Sequence, residues 1–172
     1  GTICGWLYFV SEHASEAFAR AIGERPVVKA MLAGLALAIC GTVLPYTMFA
    51  GETQADVLME TYLTIPAGVL IATGLVKAML TPALINLGWR GGHFFPVIFS
   101  GVSLGYGLAI LTGADPVFCV AVCTASTMGA VMRQPVMVVG LLLMCFPLKG
   151  IVCMIIAAVI AAGIPLPKPL RK

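Results

Sequence analysis

The sequence predicts an all-α integral membrane protein with short, tilted and broken helices. Of its 172 residues, 60% are hydrophobic and only 10% are charged, which leaves too little polar surface for a soluble globule of this size. It also contains 19 glycines and 11 prolines. Transmembrane helices tolerate both residue types, because small residues permit close packing and broken helices can line cavities.

Charge and cysteine content exclude several other classes. The formal net charge of +3 is small and scattered, so a nucleic-acid partner is not expected. The six cysteines lie in apolar runs and are predicted to be reduced side chains rather than a disulfide framework. The sequence shows no nucleophile–base pair, no H-E-x-x-H motif and no carboxylate dyad in an apolar run. We therefore expect a multi-pass protein of the plasma or bacterial inner membrane, not an enzyme.

The first predicted helix begins at residue 2. The apolar stretch 2–10 continues into a more polar stretch up to Arg20, and Gly23 closes the segment. The apolar part is too short to span a bilayer without residues in front of it. We therefore expect the chain to be a fragment whose first half is missing.

Three further segments precede the central motif. Arg25-Pro26 opens a predicted helix over 27–44, long enough at 1.5 Å per residue to cross most of the hydrocarbon. Segment 46–60 is predicted to be an aqueous loop. Its acids are Glu52, Asp56 and Glu60. Segment 62–84 is apolar but interrupted by prolines and glycines, which predicts one or two kinked helices.

The stretch 88–96, Gly-Trp-Arg-Gly-Gly-His-Phe-Phe-Pro, has the chemistry of an anion site. Adjacent glycines permit a sharp turn and close approach of a ligand, and a proline suits the first turn of a helix. A helix is predicted over 94–109, with the chain leaving it at Gly113. The unpaired N–H groups at its start attract an anion, because the helix dipole is positive there. The predicted anion-binding residues are Gly91, Gly92, His93, Phe94, Phe95 and Pro96.

The remaining elements are shorter. Asp115 is a predicted N-cap, with Pro116 in the first helical position, and that helix runs to about Met132. Helices are then predicted over 135–146 and 151–162. Both fall below the roughly 20 residues that a straight span requires, which fits helices that stop inside the membrane. An extended basic tail follows.

Several motifs, in order, carry a family resemblance. Segment 92–96 is similar to the G-x-F-x-P motif of the CLC chloride channels and chloride/proton exchangers. Upstream, 77–81 resembles the family's K-x-x-x-T motif, and 87–92 resembles its glycine-rich approach to the site. Downstream, 101–105 resembles a small-residue G-x-x-x-G, and 133–135 resembles an R-x-P helix start. The resemblance covers nearly the whole chain.

The resemblance implies that residues 1–172 form the C-terminal part of a CLC-type transmembrane domain, one half of an inverted repeat whose N-terminal half is absent. It implies chloride transport, as a channel or a chloride/proton antiporter, with chloride as substrate and no cofactor. The gating glutamate of the family belongs to the absent half. The implied partners are that half, the lipid bilayer and a second copy, with a homodimer interface at 2–19, 135–146 and 151–162.

Individual residues keep alternative interpretations. Lys77 and Arg133 are basic residues in apolar surroundings, which indicates an anion path or an internal ion pair; for Arg133 a membrane-interface anchor is an equal alternative. Arg171 stands where the family's K-P-L-Y motif has its tyrosine, and it either clamps the anion or extends to the surface. The His93 ring either responds to protons or, the favoured alternative, packs aside.

Other functions were compared with CLC-type transport. An unrelated secondary transporter with broken helices would share the physics of the motif but not the series of motifs. A non-conducting membrane fragment is the third alternative. A metal site is not expected, although Asp115, Cys119 and Cys123 share one helix face, because two thiolates are too few for a closed site.

Overall fold

The computed structural model describes residues 1–48, 51–146 and 150–166, and these contain eight α-helices and no strand. In chain order the helices are α1 (Thr2–Ile22), α2 (Pro26–Val43), α3 (Glu52–Thr61), α4 (Ala67–Asn86), α5 (Phe94–Thr112), α6 (Pro116–Met132), α7 (Pro135–Leu142) and α8 (Ile151–Gly163). The predicted all-α class is confirmed. Helices α7 and α8 are both too short to span a bilayer, as predicted.

Helix ends with a clear chemical signal lie where the sequence predicts them. Pro26 occupies the first turn of α2. The Asp115 carboxylate accepts a hydrogen bond from the Phe118 N–H at 2.8 Å and so caps α6. Gly23 and Gly113 end α1 and α5 with φ of 71° and 68°, a left-handed backbone that favours glycine.

The predicted aqueous loop at 46–60 is wrong in its second half, where the chain forms α3. Gly51 precedes this helix with φ 107°, and Glu52 adds an acidic side chain to its first turn, where the helix dipole favours it. Leu58, on the opposite side of α3 from its acids, is fully buried. The acids recur every four residues because they lie on the exposed side of an amphipathic helix. They do not indicate an irregular backbone.

Two other boundaries differ from expectation. The segment 62–84, predicted as one or two kinked helices, begins with a short 3-10 turn at Tyr62–Thr64 and continues as one helix, α4, with Pro82 inside it. The segment predicted to remain helical to residue 146 stops at Leu142, the end of α7, and continues as turns to Phe146.

The centre of the structure is α5, which packs against α4 on one side and α6 on the other. Glycines make both contacts close. A Cβ at Gly74 of α4 would lie 2.8 Å from the Ser100 carbonyl oxygen of α5. A Cβ on Gly101 or Gly105 of α5 would collide with the backbone of α6. The 101–105 pair is therefore a close helix contact, which agrees with its sequence interpretation.

In the part of the chain that the structure describes, three helices are long and apolar enough to cross a membrane: α2, α4 and α5. Burial of their most apolar 18-residue stretch increases in that order, from 6% in α2 to 44% in α4 and 61% in α5. Helix α2 thus lies at the edge of the bundle with its apolar side chains outward, whereas α5 is enclosed. Of these three helices, α5, which follows the central motif, is the most buried.

Candidate functional site

The connection between α4 and α5 forms the centre of the candidate site. After Asn86 the chain leaves α4 through a turn in which the Trp89 N–H donates to the Leu84 carbonyl at 3.0 Å. Gly88 has φ 94° within this turn. Helix α5 then begins at Phe94, where the sequence predicts it.

The backbone at Gly91 and Gly92 differs from the expectation. The sequence predicts a sharp turn that requires glycine there, but neither residue has a positive φ; in this turn the residue with a positive φ is Gly88. A Cβ on either residue would meet nothing within 4 Å. The expected conformational constraint is therefore wrong. What their missing side chains provide is open space beside the backbone.

The first turn of α5 follows that space directly in the chain and carries unpaired backbone donors. His93 precedes the helix and its side chain makes no capping hydrogen bond, while its carbonyl accepts from the Val97 N–H at 3.2 Å. Pro96 is the third helical residue and has no N–H. The N–H groups of His93, Phe94 and Phe95 lack an intrahelical acceptor, as the first N–H groups of any helix do.

A cavity of about 390 Å³ adjoins this turn. It lies between the end of α2, the second half of α4 and the 89–92 segment. Its lining consists of Leu37, Thr47, Met48, Lys77, Leu80, Thr81, Leu84, Ile85, Trp89, Arg90, Gly91, Gly92 and Pro96. Three of the six predicted anion-binding residues, Gly91, Gly92 and Pro96, are thus brought together with Lys77 around one space.

Lys77 is a buried cation in the lining of this cavity, with 2% of its surface exposed. Its Nζ donates to the Thr47 carbonyl at 2.7 Å and to the Met48 carbonyl at 3.0 Å. It also lies 5.3 Å from the centre of the Phe99 ring, within range of a cation–π contact. Carbonyl dipoles thus replace much of the water that the ammonium would have outside the membrane, while its positive charge stays beside the cavity.

The side chains of His93, Phe94 and Phe95 do not line this cavity. The His93 ring stacks on the Phe94 ring at 5.1 Å and 15°, so it packs aside, the favoured sequence interpretation. Phe95 is half-exposed and lines a separate cavity of about 260 Å³ that includes Glu52 and Asp56. None of these three residues lines the main cavity, which reaches the start of α5 through Gly91, Gly92 and Pro96.

Arg133 has a different position from the one predicted for an anion-path residue. It ends α6 with φ 58°, the only positive φ of a non-glycine residue in the described part of the chain. Its guanidinium donates to the carbonyls of Ala162, at 3.0 Å, and Ile164, at 2.7 Å. Arg133 thus holds the C-terminal end of α8, where a cation is favourable. Arg171 lies outside the described residues.

Sequence reasoning missed several contributors to the cavity. Trp89 and Arg90 both line it, although they were quoted as part of the motif without a role. The sequence did contain a signal for Arg90. A basic residue directly before the glycine pair of an anion site adds positive charge beside that site. Thr47 and Met48 were missed as well, and no local pattern marks them.

The comparison with protein families shows to which family the chain belongs. The family model described as "Voltage gated chloride channel" matches residues 1–165. The chain belongs to this family. Members of the CLC family are membrane-embedded channels and transporters and are commonly dimeric. No curated protein and no solved structure matches the chain.

Proposed function

We propose that this CLC-family chain transports chloride by binding it against the backbone N–H groups of His93 and Phe94, at the start of α5. The observation that carries this proposal is the cavity beside that turn, which Gly91 and Gly92 leave free of side chains. Its lining adds a buried cation, Lys77. A helix start, open space and positive charge in one place favour an anion.

Backbone donors suit transport because they attract an anion without holding it permanently. An N–H group carries no proton to lose, and α5 fixes its direction. Conduction requires a site that is favourable enough to enter and weak enough to leave. Lys77 alone would bind more tightly, but its ammonium is directed to the carbonyls of Thr47 and Met48. Its contribution is a field across the cavity rather than a direct clamp.

The open side of the cavity supports a second proposal, that further polypeptide completes the pore. Trp89, Arg90, Gly91 and Gly92 are all exposed in the structure. An anion at this turn would have too few donors to replace its hydration, so we propose that an inverted second half of the domain supplies the rest. Residues 1–172 are then the C-terminal part of the domain, acting within a channel or a proton-coupled antiporter.

This division of the pore predicts that the chain by itself does not conduct. Liposomes of plasma-membrane-like lipid that contain only residues 1–172 should show no chloride efflux above protein-free liposomes. Efflux well above that background would contradict the need for a second half. The same liposomes with the complete protein provide the positive control.

We also propose a homodimer that uses 2–19, 135–146 and 151–162. Helices α7 and α8 carry outward apolar side chains that a second copy could cover. The most exposed of these are Val136 at 86% and Val152 at 64%. Cysteines introduced one at a time along α8, in a background without Cys145 and Cys153, should cross-link copies in membranes. Cross-linking confined to positions near Leu104 of α5 would place the interface elsewhere.

A bromide soak of crystals of the complete protein tests the anion site directly. Bromide replaces chloride and gives anomalous density, which should lie within hydrogen-bond reach of the His93 and Phe94 nitrogens. Density held only by side chains, such as Lys77, would refute binding at the helix start. The Gly92→Val variant is the matched control and should lose the peak without losing the fold.

A further inference from the structure

A second cavity adjoins the first at Trp89 and Arg90. It has a volume of about 430 Å³ and lies between the start of α2 and the end of α4. Its lining consists of Pro26, Lys29, Ala30, Ala33, Leu87, Gly88, Trp89 and Arg90. Trp89 and Arg90 also line the first cavity, so the two spaces meet at these residues.

The charges of the second cavity have one sign. Lys29 and Arg90 line it, and no acidic side chain does among the residues that the structure describes. The carboxylates nearby belong to a third cavity of about 440 Å³, which shares Lys29 and also includes Glu16, Arg20 and Glu24. Glu16 lies 3.1 Å from Arg20, so these two charges offset each other. Glu24 is the other carboxylate in the lining that Lys29 shares.

We propose that the second cavity is a recruiting subsite for a small monovalent inorganic anion, held between Lys29 and Arg90 beside Trp89. The anion then passes along Trp89 and Arg90 to the donors at the start of α5. This inference rests on the proposed anion transport and adds a named point of entry. Arg90 takes part in both spaces and is the residue that connects them.

The chemistry of the lining fits a subsite that is occupied briefly. Two cations in a concave space raise the local concentration of anions, and a low-dielectric surface such as the indole of Trp89 strengthens their field. Both side chains remain accessible, with Lys29 half-buried and Arg90 exposed, so water and salt weaken the attraction. Such a site collects anions without trapping them.

Quenching of Trp89 fluorescence by iodide tests the proposal on the chain in detergent. The sequence has two tryptophans, so Trp6→Phe leaves Trp89 as the only emitter. The indole N–H of Trp6 is buried without an acceptor, so phenylalanine removes an unsatisfied donor and should be tolerated. Iodide reports anion concentration at Trp89, and acrylamide, which is neutral, reports accessibility alone.

In this background we expect Arg90→Gln and Lys29→Gln each to lower the iodide quenching constant about two- to threefold at low salt, with the acrylamide constant unchanged. Arg20→Gln is the matched control, because Arg20 is offset by Glu16 and lies outside the second cavity, and it should change neither constant. Glu24→Gln should raise the iodide constant, since it removes a carboxylate from the cavity that Lys29 also lines.

The subsite would be overturned if the iodide quenching constant stayed unchanged, like the acrylamide constant, in both Arg90→Gln and Lys29→Gln. A fall in both constants for either variant would also overturn it, because the change would then be in accessibility rather than in charge. Neither result would affect bromide at the His93 and Phe94 nitrogens, so failure of the subsite and failure of the proposed transport site are separate outcomes.

Discussion

Glycine serves opposite purposes in two regions of this molecule. In the α4–α5–α6 core, a Cβ on Gly101 or Gly105 would collide with the α6 backbone. In the turn before α5, a Cβ on Gly91 or Gly92 would meet nothing within 4 Å. The core glycines allow helices to touch, whereas the turn glycines keep atoms away from the cavity. The difference separates residues required for stability from residues required for the ligand.

The largest expected change in stability comes from disrupting the packing of the α4–α5–α6 core. Gly105→Val places a branched side chain against the backbone of Val120, which cannot move without displacing α6. We expect a loss of about 3 kcal/mol in the free energy of unfolding, at the upper end of overpacking effects. Thermal unfolding followed by circular dichroism in detergent measures it.

The control is Gly34→Ala in α2, where a Cβ would meet nothing within 4 Å. Alanine is the better helix former, so this variant should equal the wild type or gain up to about 1 kcal/mol. A loss of stability similar to that of Gly105→Val would show that glycines matter everywhere in this chain, and the comparison would fail.

Lys77 belongs to both regions, because it extends from α4 in the core to the cavity lining. Lys77→Met leaves the carbonyls of Thr47 and Met48 without its donors. We expect a loss of about 1–3 kcal/mol in stability together with weaker chloride binding. Chemical unfolding and chloride titration calorimetry measure the two effects separately.

Lys77→Gln sharpens this test, since glutamine keeps a donor and removes the charge. It should recover part of the stability but none of the affinity. If glutamine restores both the stability and the chloride affinity, then the positive charge contributes nothing to anion binding. Lys77 would then only stabilise the Thr47–Met48 turn through its hydrogen bonds.

Gly92→Val should show the reverse pattern to Gly105→Val. The unfolding free energy should change by less than about 0.5 kcal/mol, because the site is open and its φ is not left-handed. Chloride affinity should fall at least about tenfold, because two methyl groups block approach to the donors. Unchanged affinity in a chloride titration would show that the anion does not approach this turn.

The smallest expected effect is that of His93→Ile. The ring stacks on Phe94 and does not line the cavity, so its removal leaves the backbone donors in place. Chloride affinity should stay within about twofold, and stability within about 0.5 kcal/mol. A tenfold loss of affinity would show that the ring itself contacts the anion.

Helix ends were predictable from the sequence where a residue has one structural use. Pro26, Gly113 and the Asp115-Pro116 pair each mark an end because of their own backbone or capping chemistry. Helix α3 was missed because its polar side chains were taken as evidence for a loop, although polarity here reports only which face is exposed. Helix α4 continues through Pro82, which sequence reasoning expected to weaken it.

The candidate site was predictable only along the chain. Gly91, Gly92 and Pro96 are local to one motif, and the motif located them in the lining of a cavity. The remaining lining comes from elsewhere in the sequence, since Lys77 contacts a carbonyl 30 residues away at Thr47. For Arg133 the sequence left an anion path, an internal ion pair and an interface anchor open, and in the structure its guanidinium donates to carbonyls at the end of α8. A charge in an apolar run does not reveal its partner.

The contact between Lys77 and the Thr47–Met48 turn has a consequence for biosynthesis. Helix α4 carries this lysine near its midpoint, and a lysine at the centre of a helix costs about 2.5–3.5 kcal/mol during insertion into the bilayer. The carbonyls that receive its ammonium belong to an earlier part of the chain, so the ribosome has already delivered them when Lys77 emerges. The order of synthesis therefore supplies the acceptors before the charge, and α4 should enter the membrane efficiently only behind its own upstream turn.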